Sequence, residues 1–436
     1  MFSNATWLLA AVFAAAPSMG RHDEPRDAPD VVWSVEPHPL EVGAGLELNR
    51  ALRRARSRNC DAEGILATIV GLGPQILPAS LCALDERKLR GVDEAAFQVL
   101  SELQEKLILD ALSGFDAAST WQAIGLHLAV PEGKLPTVAA RKAAILAAGA
   151  CASKNDLGRI LALALLPTET ELAPDLEHAV RSAAERSFRR APQGLTLLAT
   201  SWLGVPPPLR PAIVAAAGAA GDPLALELLA QMLDQPGDLQ SIALAELARQ
   251  HAPSEIPNGL FDALRVRLDP AQPMICLSAC NAVGALGDFG SVDTLIDLVQ
   301  TPWAGVTTTA HRALCHMSGL ELPAQSSSWR TWRTRESEWF LHREPALLTE
   351  IQCGSERQAR ETLQEIGLYR WERHRLSDIA AEGLLRPEAS IRNLACSVLG
   401  QLGSPRARAA LEEFKSREDE TGALAAQAAL EKCTAH

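Results

Sequence analysis

His311, Cys315 and His316 form the densest grouping of metal-binding side-chain types in this 436-residue sequence. On a helix, His311 and Cys315 share a face at i and i+4, a workable placement for two ligands. His316 is turned away from Cys315 by about a hundred degrees. A structural zinc site needs a second ligand pair, and the chain has no CxxC pair, no HExxH and no partner cluster at zinc spacing. No metal is expected.

Nine cysteines are present, an odd count that leaves at least one thiol unpaired. Cys276, Cys280 and Cys396 sit on apolar stripes at helical spacing, where cysteine acts as a small hydrophobe. Side chains at the spacing of Cys276 and Cys280 have Cβ atoms about 5 to 6 Å apart, too far for a relaxed disulfide. Buried free thiols are the expectation, with bridges between neighbouring helices left open. Catalytic signatures are missing: there is no GxSxG elbow, no GxxxxGK[ST] loop, and "GLGP" at 71 to 74 lacks the remaining glycine and the strand of a dinucleotide fingerprint. Carboxylates such as Glu412 and Glu413 fall on exposed helix surfaces, so no acid and base pair stands out. No residue is assigned to catalysis or to a cofactor.

Two clusters bear on binding. Trp332 and Trp339 lie seven residues apart on one helical face, with Trp329 a turn before and Phe340 beside. Such a stripe is buried against something, either neighbouring helices or a partner; packing that plugs a gap after Gly319 is the expectation. Arg330, Arg333, Arg335, Arg343, Arg357, Arg360, Arg370, Arg373 and Arg375 crowd the same region, interleaved with Glu336, Glu338, Glu344, Glu356, Glu361, Glu365 and Glu372. That near balance reads as solvated helix faces with ion pairs.

The elements that position these residues are short helices in pairs. In "NAVGALGDFGSVDTLIDLVQ" and the residues before it, Cys276, Ala279, Cys280 and Val283 recur at i, i+3, i+4 and i+7, and Val292, Leu295, Ile296 and Val299 do the same after the break. Between the stripes, Gly287 is suited to a left-handed helix stop and Asp288 to capping the next helix. A second copy runs Ile213, Ala216, Ala217, Ala220, then Gly221, Asp222 and a first-turn Pro223, then Leu226, Leu229, Ala230 and Leu233. The third has Ile391, Leu394, Ala395, Val398, Leu399 and Leu402 before Gly403, Ser404 and Pro405, then Ala407, Ala410, Leu411 and Phe414. Weaker starts at "EHAVRSAAERSF", "QSIALAELARQ", "TTTAHRALCHMSG" and "SERQARETLQEIG" fill the intervals at about 30 to 40 residues, a helix-pair period. "GVPPPLRP" at 204 to 211 reads as an irregular loop between repeats.

Helix pairs with "LGD" or "LGS-P" at the hinge resemble the short HEAT-like (PBS-lyase-type) repeats common in bacterial proteins. The stretch "HRALCHMSGLELPAQSSSWRTWRTRESEWF" is similar to the tail of some exported members, in which a glycine loop precedes a Trp-rich helix. The resemblance covers residues 135 to 435 and weakens over 45 to 134. It implies an all-α fold, a right-handed α-solenoid of stacked antiparallel helix pairs, with the Trp-rich helix near 328 to 341. It also places His311, Cys315 and His316 at the end of a packed helix.

Composition agrees with an all-α chain: alanine and leucine dominate and aromatics are 4%. No apolar run reaches about 18 residues, so no integral membrane span is expected. The first twenty residues, "MFSNATWLLAAVFAAAPSMG", have an apolar core from Trp7 to Ala16 followed by small residues, the pattern of a Sec signal peptide without a lipobox. Residues 21 to 44 read as a flexible Pro- and acid-rich leader that docks at most through Trp33, and 45 to 134 as divergent helical repeats. A formal charge of −12 disfavours nucleic acid.

The function these features imply is a non-catalytic scaffold for a protein or peptide in the bacterial envelope, periplasmic or secreted. The rival expectations are an enzyme related to the chromophore lyases that share such repeats, or a thiol- or metal-binding protein.

Overall fold

A computed structural model describes residues 39–55, 60–85, 102–128, 136–151, 156–165, 171–235, 237–250, 253, 255–417 and 420–434. The segment read as a signal peptide and the docking residue Trp33 lie outside the described residues. Among the described residues every regular element is helical.

The chain divides into two compact units, Met1–Leu228 and Leu229–His436. The first contains α1 (Pro39–Arg54), α2 (Ala62–Gly71), α3 (Leu77–Leu84), α4 (Glu102–Leu112), α5 (Ala117–Leu128), α6 (Val138–Cys151), α7 (Leu157–Ala164), α8 (Pro174–Arg190), α9 (Gln193–Thr200) and α10 (Arg210–Ala220). The division falls inside α11 (Ala225–Leu233). The second contains α12 (Asp238–Leu247), α13 (Leu260–Val266), α14 (Pro273–Leu286), α15 (Val292–Leu298), α16 (Ala304–Ser318), α17 (Ser326–Cys353), α18 (Glu356–Ile366), α19 (Arg373–Ala381), α20 (Ala389–Leu402), α21 (Ala407–Arg417) and α22 (Glu420–Thr434).

Alternate helices pack on one another, and most of the helices between them lie against a neighbour in sequence. In the first unit α4, α6, α8 and α10 pack in succession, with α5, α7 and α9 laid against them. In the second, α12, α14 and α16 form one run and α18, α20 and α22 another, while the long α17 packs on α15, then on α18 and α19. The all-α expectation thus holds among the described residues. The four recurring starts fall on α8, α12, α16 and α18.

The hinges follow from local chemistry. α10, α14, α16 and α20 each end at a glycine in the left-handed region, Gly221, Gly287, Gly319 and Gly403. Asp288 accepts from the Gly290 amide and from Ser291, opening the short turn that leads into α15. Three residues before Gly287 and Gly403 stands a second glycine, and its role there is close packing. A methyl group on Gly284 would lie 2.9 Å from Ala313 Cβ, and one on Gly400 would lie 3.1 Å from Ala429 Cα. Gly-x-x-Gly therefore sets both the approach of adjacent helices and the stop.

Three expectations change. The chain is already helical from Pro39, whereas the leader was expected to extend to 44; Ala44, Leu48, Ala51, Leu52 and Ala55 form a buried stripe that begins within its Gly-rich end. Pro223 and Pro405 lie in the turns just before α11 and α21 instead of in the first helical turn, and their carbonyls accept from Leu226 and Arg408. "GVPPPLRP" starts at the end of one 3₁₀ turn, Trp202–Gly204, and holds a second, Pro207–Leu209, that buries Leu209 and runs straight into α10.

The chain has 34 Arg and 7 Lys, and some of the arginines close helix ends. Arg190 donates from Nη1 to Ala150 O (2.6 Å) and from Nη2 to Ser113 O (3.0 Å), Arg189 to Ala219 O (3.0 Å), and Arg386 to Gln352 O (2.9 Å). Every one of these carbonyls lies at a helix C-terminus, where acceptors lack intrahelical partners and the helix dipole is negative. A planar guanidinium reaches two such ends at once, which an ammonium does poorly.

Candidate functional site

The polar and aromatic groups singled out by the sequence converge in the second unit around the turn between α18 and α19. Glu336 of α17, buried, accepts from the backbone amides of Arg370 (2.6 Å) and Trp371 (3.0 Å) and from Arg335 (2.8 Å). That carboxylate fixes the turn. Glu372 follows in a left-handed conformation, and Arg373 and His374 then enter the core.

Arg373 is 1% exposed. Its Nη1 donates to Leu402 O (3.0 Å) and Gly403 O (3.2 Å) at the end of α20, and its Nη2 to His316 O (2.6 Å) near the end of α16. Burial, and then Arg370, lower its pKa to about 10, so it stays charged at neutral pH. His374 Nδ1 lies 2.9 Å from Ser404 Oγ, and its ring edge covers Gly287. Burial, and then Arg373, hold its pKa down at about 2, so the imidazole is neutral. One dipeptide thus touches the Gly287, Gly319 and Gly403 turns.

The aromatic stripe is core at one end and half-buried at the other. Trp329 and Trp332 are buried, edge-on to each other at 5.5 Å between ring centroids, and the chain of rings continues through Trp371 to Phe289. Trp339 is half-buried: it stacks on Tyr369 (3.7 Å, 4°) and donates from Nε1 to Glu365 (2.8 Å). Arg343 bridges Glu365 and Glu350, and the two carboxylates are held below their usual range chiefly by that guanidinium.

His311 and Cys315 do share a face, with Nε2 and Sγ 3.6 Å apart, but Nε2 donates to Leu322 O (2.8 Å) and is occupied. His316 points elsewhere and donates to Gly284 O (3.0 Å). Among the described residues no three His, Cys, Asp or Glu side chains converge as a metal site requires. The nine cysteines are free thiols, of which Cys353 is exposed and Cys151, Cys276, Cys280, Cys396 and Cys433 are buried.

The arginine cluster pairs as expected on its outer face, in part with carboxylates of α15 that the sequence reading did not include: Arg330 with Asp297 (2.6 Å) and Arg333 with Asp293 (2.8 Å). Arg373 is the correction. Its sequence neighbourhood groups it with solvated arginines, yet it follows the left-handed turn at Glu372 into the core. The available hint was Tyr369 and Trp371, the chain's only tyrosine and a tryptophan within three residues, which mark a turn anchored in the core.

The first unit contributes an open groove of about 570 Å³ lined by Lys106, Asp110, Ser182, Glu185, Arg186 and Arg189, with Arg190 at its edge against Ser113 and Ala150. Four cations face two carboxylates there. Arg186 pairs with Asp110 (3.0 Å) and Arg189 with Glu185 (2.7 Å). Lys106 on α4 is exposed and makes no ion pair among the described residues. The groove is charged and open, and its charged side chains come from α4 and α8.

Comparison with known proteins gives no family assignment: no family model and no curated protein matches the sequence. Solved structures that match include an engineered protein, 15% identical over 89% of this chain and 99% of that chain with a TM-score of 0.24. Human deoxyhypusine hydroxylase is another, 15% identical over 76% of this chain and 98% of its own with a TM-score of 0.19. Superposition this limited transfers neither activity nor site residues.

Proposed function

We propose that this chain is a HEAT-like repeat scaffold, its helix pairs stacked in a right-handed sense within each unit, that is exported and binds a protein or peptide in the bacterial envelope without catalysing a reaction. The groove across α4 and α8 carries the reading. It offers Lys106 and Arg186 at an open, concave surface in a chain whose formal charge is −12. By contrast, the buried His374 and Arg373 are engaged in joining helix ends. A partner segment with carboxylates fits the groove, while the overall negative field favours a basic or neutral surface on the rest of that partner.

The test is affinity capture from envelope extract with residues 21 to 436 as bait, in parallel with Lys106→Glu/Arg186→Glu. The expected result is a protein retained by the first and lost by the second at unchanged helical circular dichroism. Equal retention by both would remove the groove from the reading, and recovery of a bound chromophore in place of a protein would overturn the scaffold itself.

A further inference from the structure

α6 packs on both α4 and α8, and its Ala143, Ala144, Ala147 and Ala148 are fully buried. Because that helix is so lean, side chains of α4 and α8 meet across it. Arg186 Nη1 donates to Asp110 Oδ1 (3.0 Å), and Arg190 spans Ala150 O and Ser113 O. On α8 the lining residues Ser182, Glu185, Arg186 and Arg189 recur at i, i+3, i+4 and i+7, and on α4 Lys106 and Asp110 stand one turn apart. The groove's volume of about 570 Å³ falls within the range of about 300 to 1,000 Å³ usual for ligand sites.

Its cations are not equally committed. Arg190 has both terminal nitrogens on carbonyls. Arg186 spends only Nη1, on Asp110, and Arg189 only Nη2, on Glu185 (2.7 Å) and Ala219 O (3.0 Å). A guanidinium carries five N–H donors, so Arg186 and Arg189 each keep several without a partner among the described residues. Lys106 keeps its ammonium. The uncommitted donors therefore stand on two helices, and on α8 their Cα atoms are about 4.5 Å apart along the axis. Four cations against two carboxylates leave an excess of two positive charges. Two separate anions match donors placed this way better than one compact dianion, and Asp110 and Glu185 already show carboxylates seated on these guanidiniums.

We propose, resting on the scaffold reading, that the groove recognises two neighbouring carboxylates, a pair of acidic residues in an otherwise neutral or basic peptide segment. Lys106 takes one of them, and the spare donors of Arg186 and Arg189 take the other. The pair is short because the chain's charge of −12 repels a longer acidic run.

The test uses the chain from residue 21 onward and rhodamine-labelled Ala-Ala-Glu-Glu-Ala-Lys, with either or both Glu replaced by Gln, read by fluorescence anisotropy at low ionic strength. Each replacement should weaken binding about threefold to fivefold, the range of exposed ion pairs. In Lys106→Ala, one of the two Glu positions should cease to matter. Asp110→Asn, which releases Arg186, should tighten the Glu-Glu peptide. Glu-Glu and Gln-Gln peptides that bind alike, or losses at both positions that persist in Lys106→Ala, would overturn the carboxylate pair. Displacement by inorganic phosphate where acetate of equal ionic strength has no effect would also overturn it, marking a site for a single dianion. If the peptides fail in these ways while Lys106→Glu/Arg186→Glu still loses the captured protein, the pair is wrong and the scaffold reading stands; if capture is equal, the groove itself is lost.

Discussion

The imidazole of His374 covers the left-handed turn at Gly287 so closely that a methyl group on that glycine would lie 2.7 Å from Cδ2. Gly221 has nearly the same backbone, φ 71° against 74°, but nothing within 4 Å of the equivalent position. The two hinges look alike in sequence and differ in what lies above them. Gly221→Ala should cost about 1 kcal/mol, the conformational penalty alone. Gly287→Ala should cost about 2 to 4 kcal/mol, because overpacking against a buried ring adds to it. Urea unfolding of both variants checks this, and equal costs would show that His374 yields.

Trp332 and Trp339 should separate on truncation. Trp332 is 3% exposed and packs between Trp329 and Trp371, so Trp332→Ala should lower stability by about 3 to 5 kcal/mol. Trp339 keeps one side toward solvent and is held by Tyr369 and Glu365, so Trp339→Ala should cost about 1 to 3 kcal/mol. Thermal melts that rank them the other way would contradict the packing described for α17.

Arg373→Lys should behave as a severe change despite keeping the charge. The guanidinium serves carbonyls at the ends of α16 and α20 together, and an ammonium cannot reach both from one position. A loss of about 2 to 3 kcal/mol is expected from the acceptors left buried. Arg357→Lys, on the exposed Glu361 pair, should leave stability nearly unchanged and is the control.

Thiol labelling of native protein should be fast at Cys353 and slow at the buried Cys151, Cys276, Cys280, Cys396 and Cys433. Burial pushes the Cys151 thiol up to about 11 and raises Cys276 and Cys280 as well, so little thiolate exists at pH 8. Nine thiols should react after denaturation without reductant. A count lower by an even number would reveal disulfides.

The hinges of this protein were legible from sequence because a helix stop and cap act over a few residues. Gly287 and Asp288 need only each other and the apolar stripes on either side, and the same local rule places Gly221 and Gly403. Helix starts were less secure where composition misled: the Gly-rich end of the leader is helical because Ala44 and Leu48 find a buried face, which no local rule records. Burial within the Trp stripe was half legible. Spacing puts Trp332 and Trp339 on one face, but α17 passes from α15 to α18 and α19, and the neighbour decides which ring is sealed. Arg373 and His374 were decided by tertiary structure alone. Their roles depend on turns that lie between thirty and ninety residues away in sequence and are brought together only by the register of stacked helices. That register is set by small residues such as Gly284 against Ala313, whose close approach is a property of two surfaces and not of either segment.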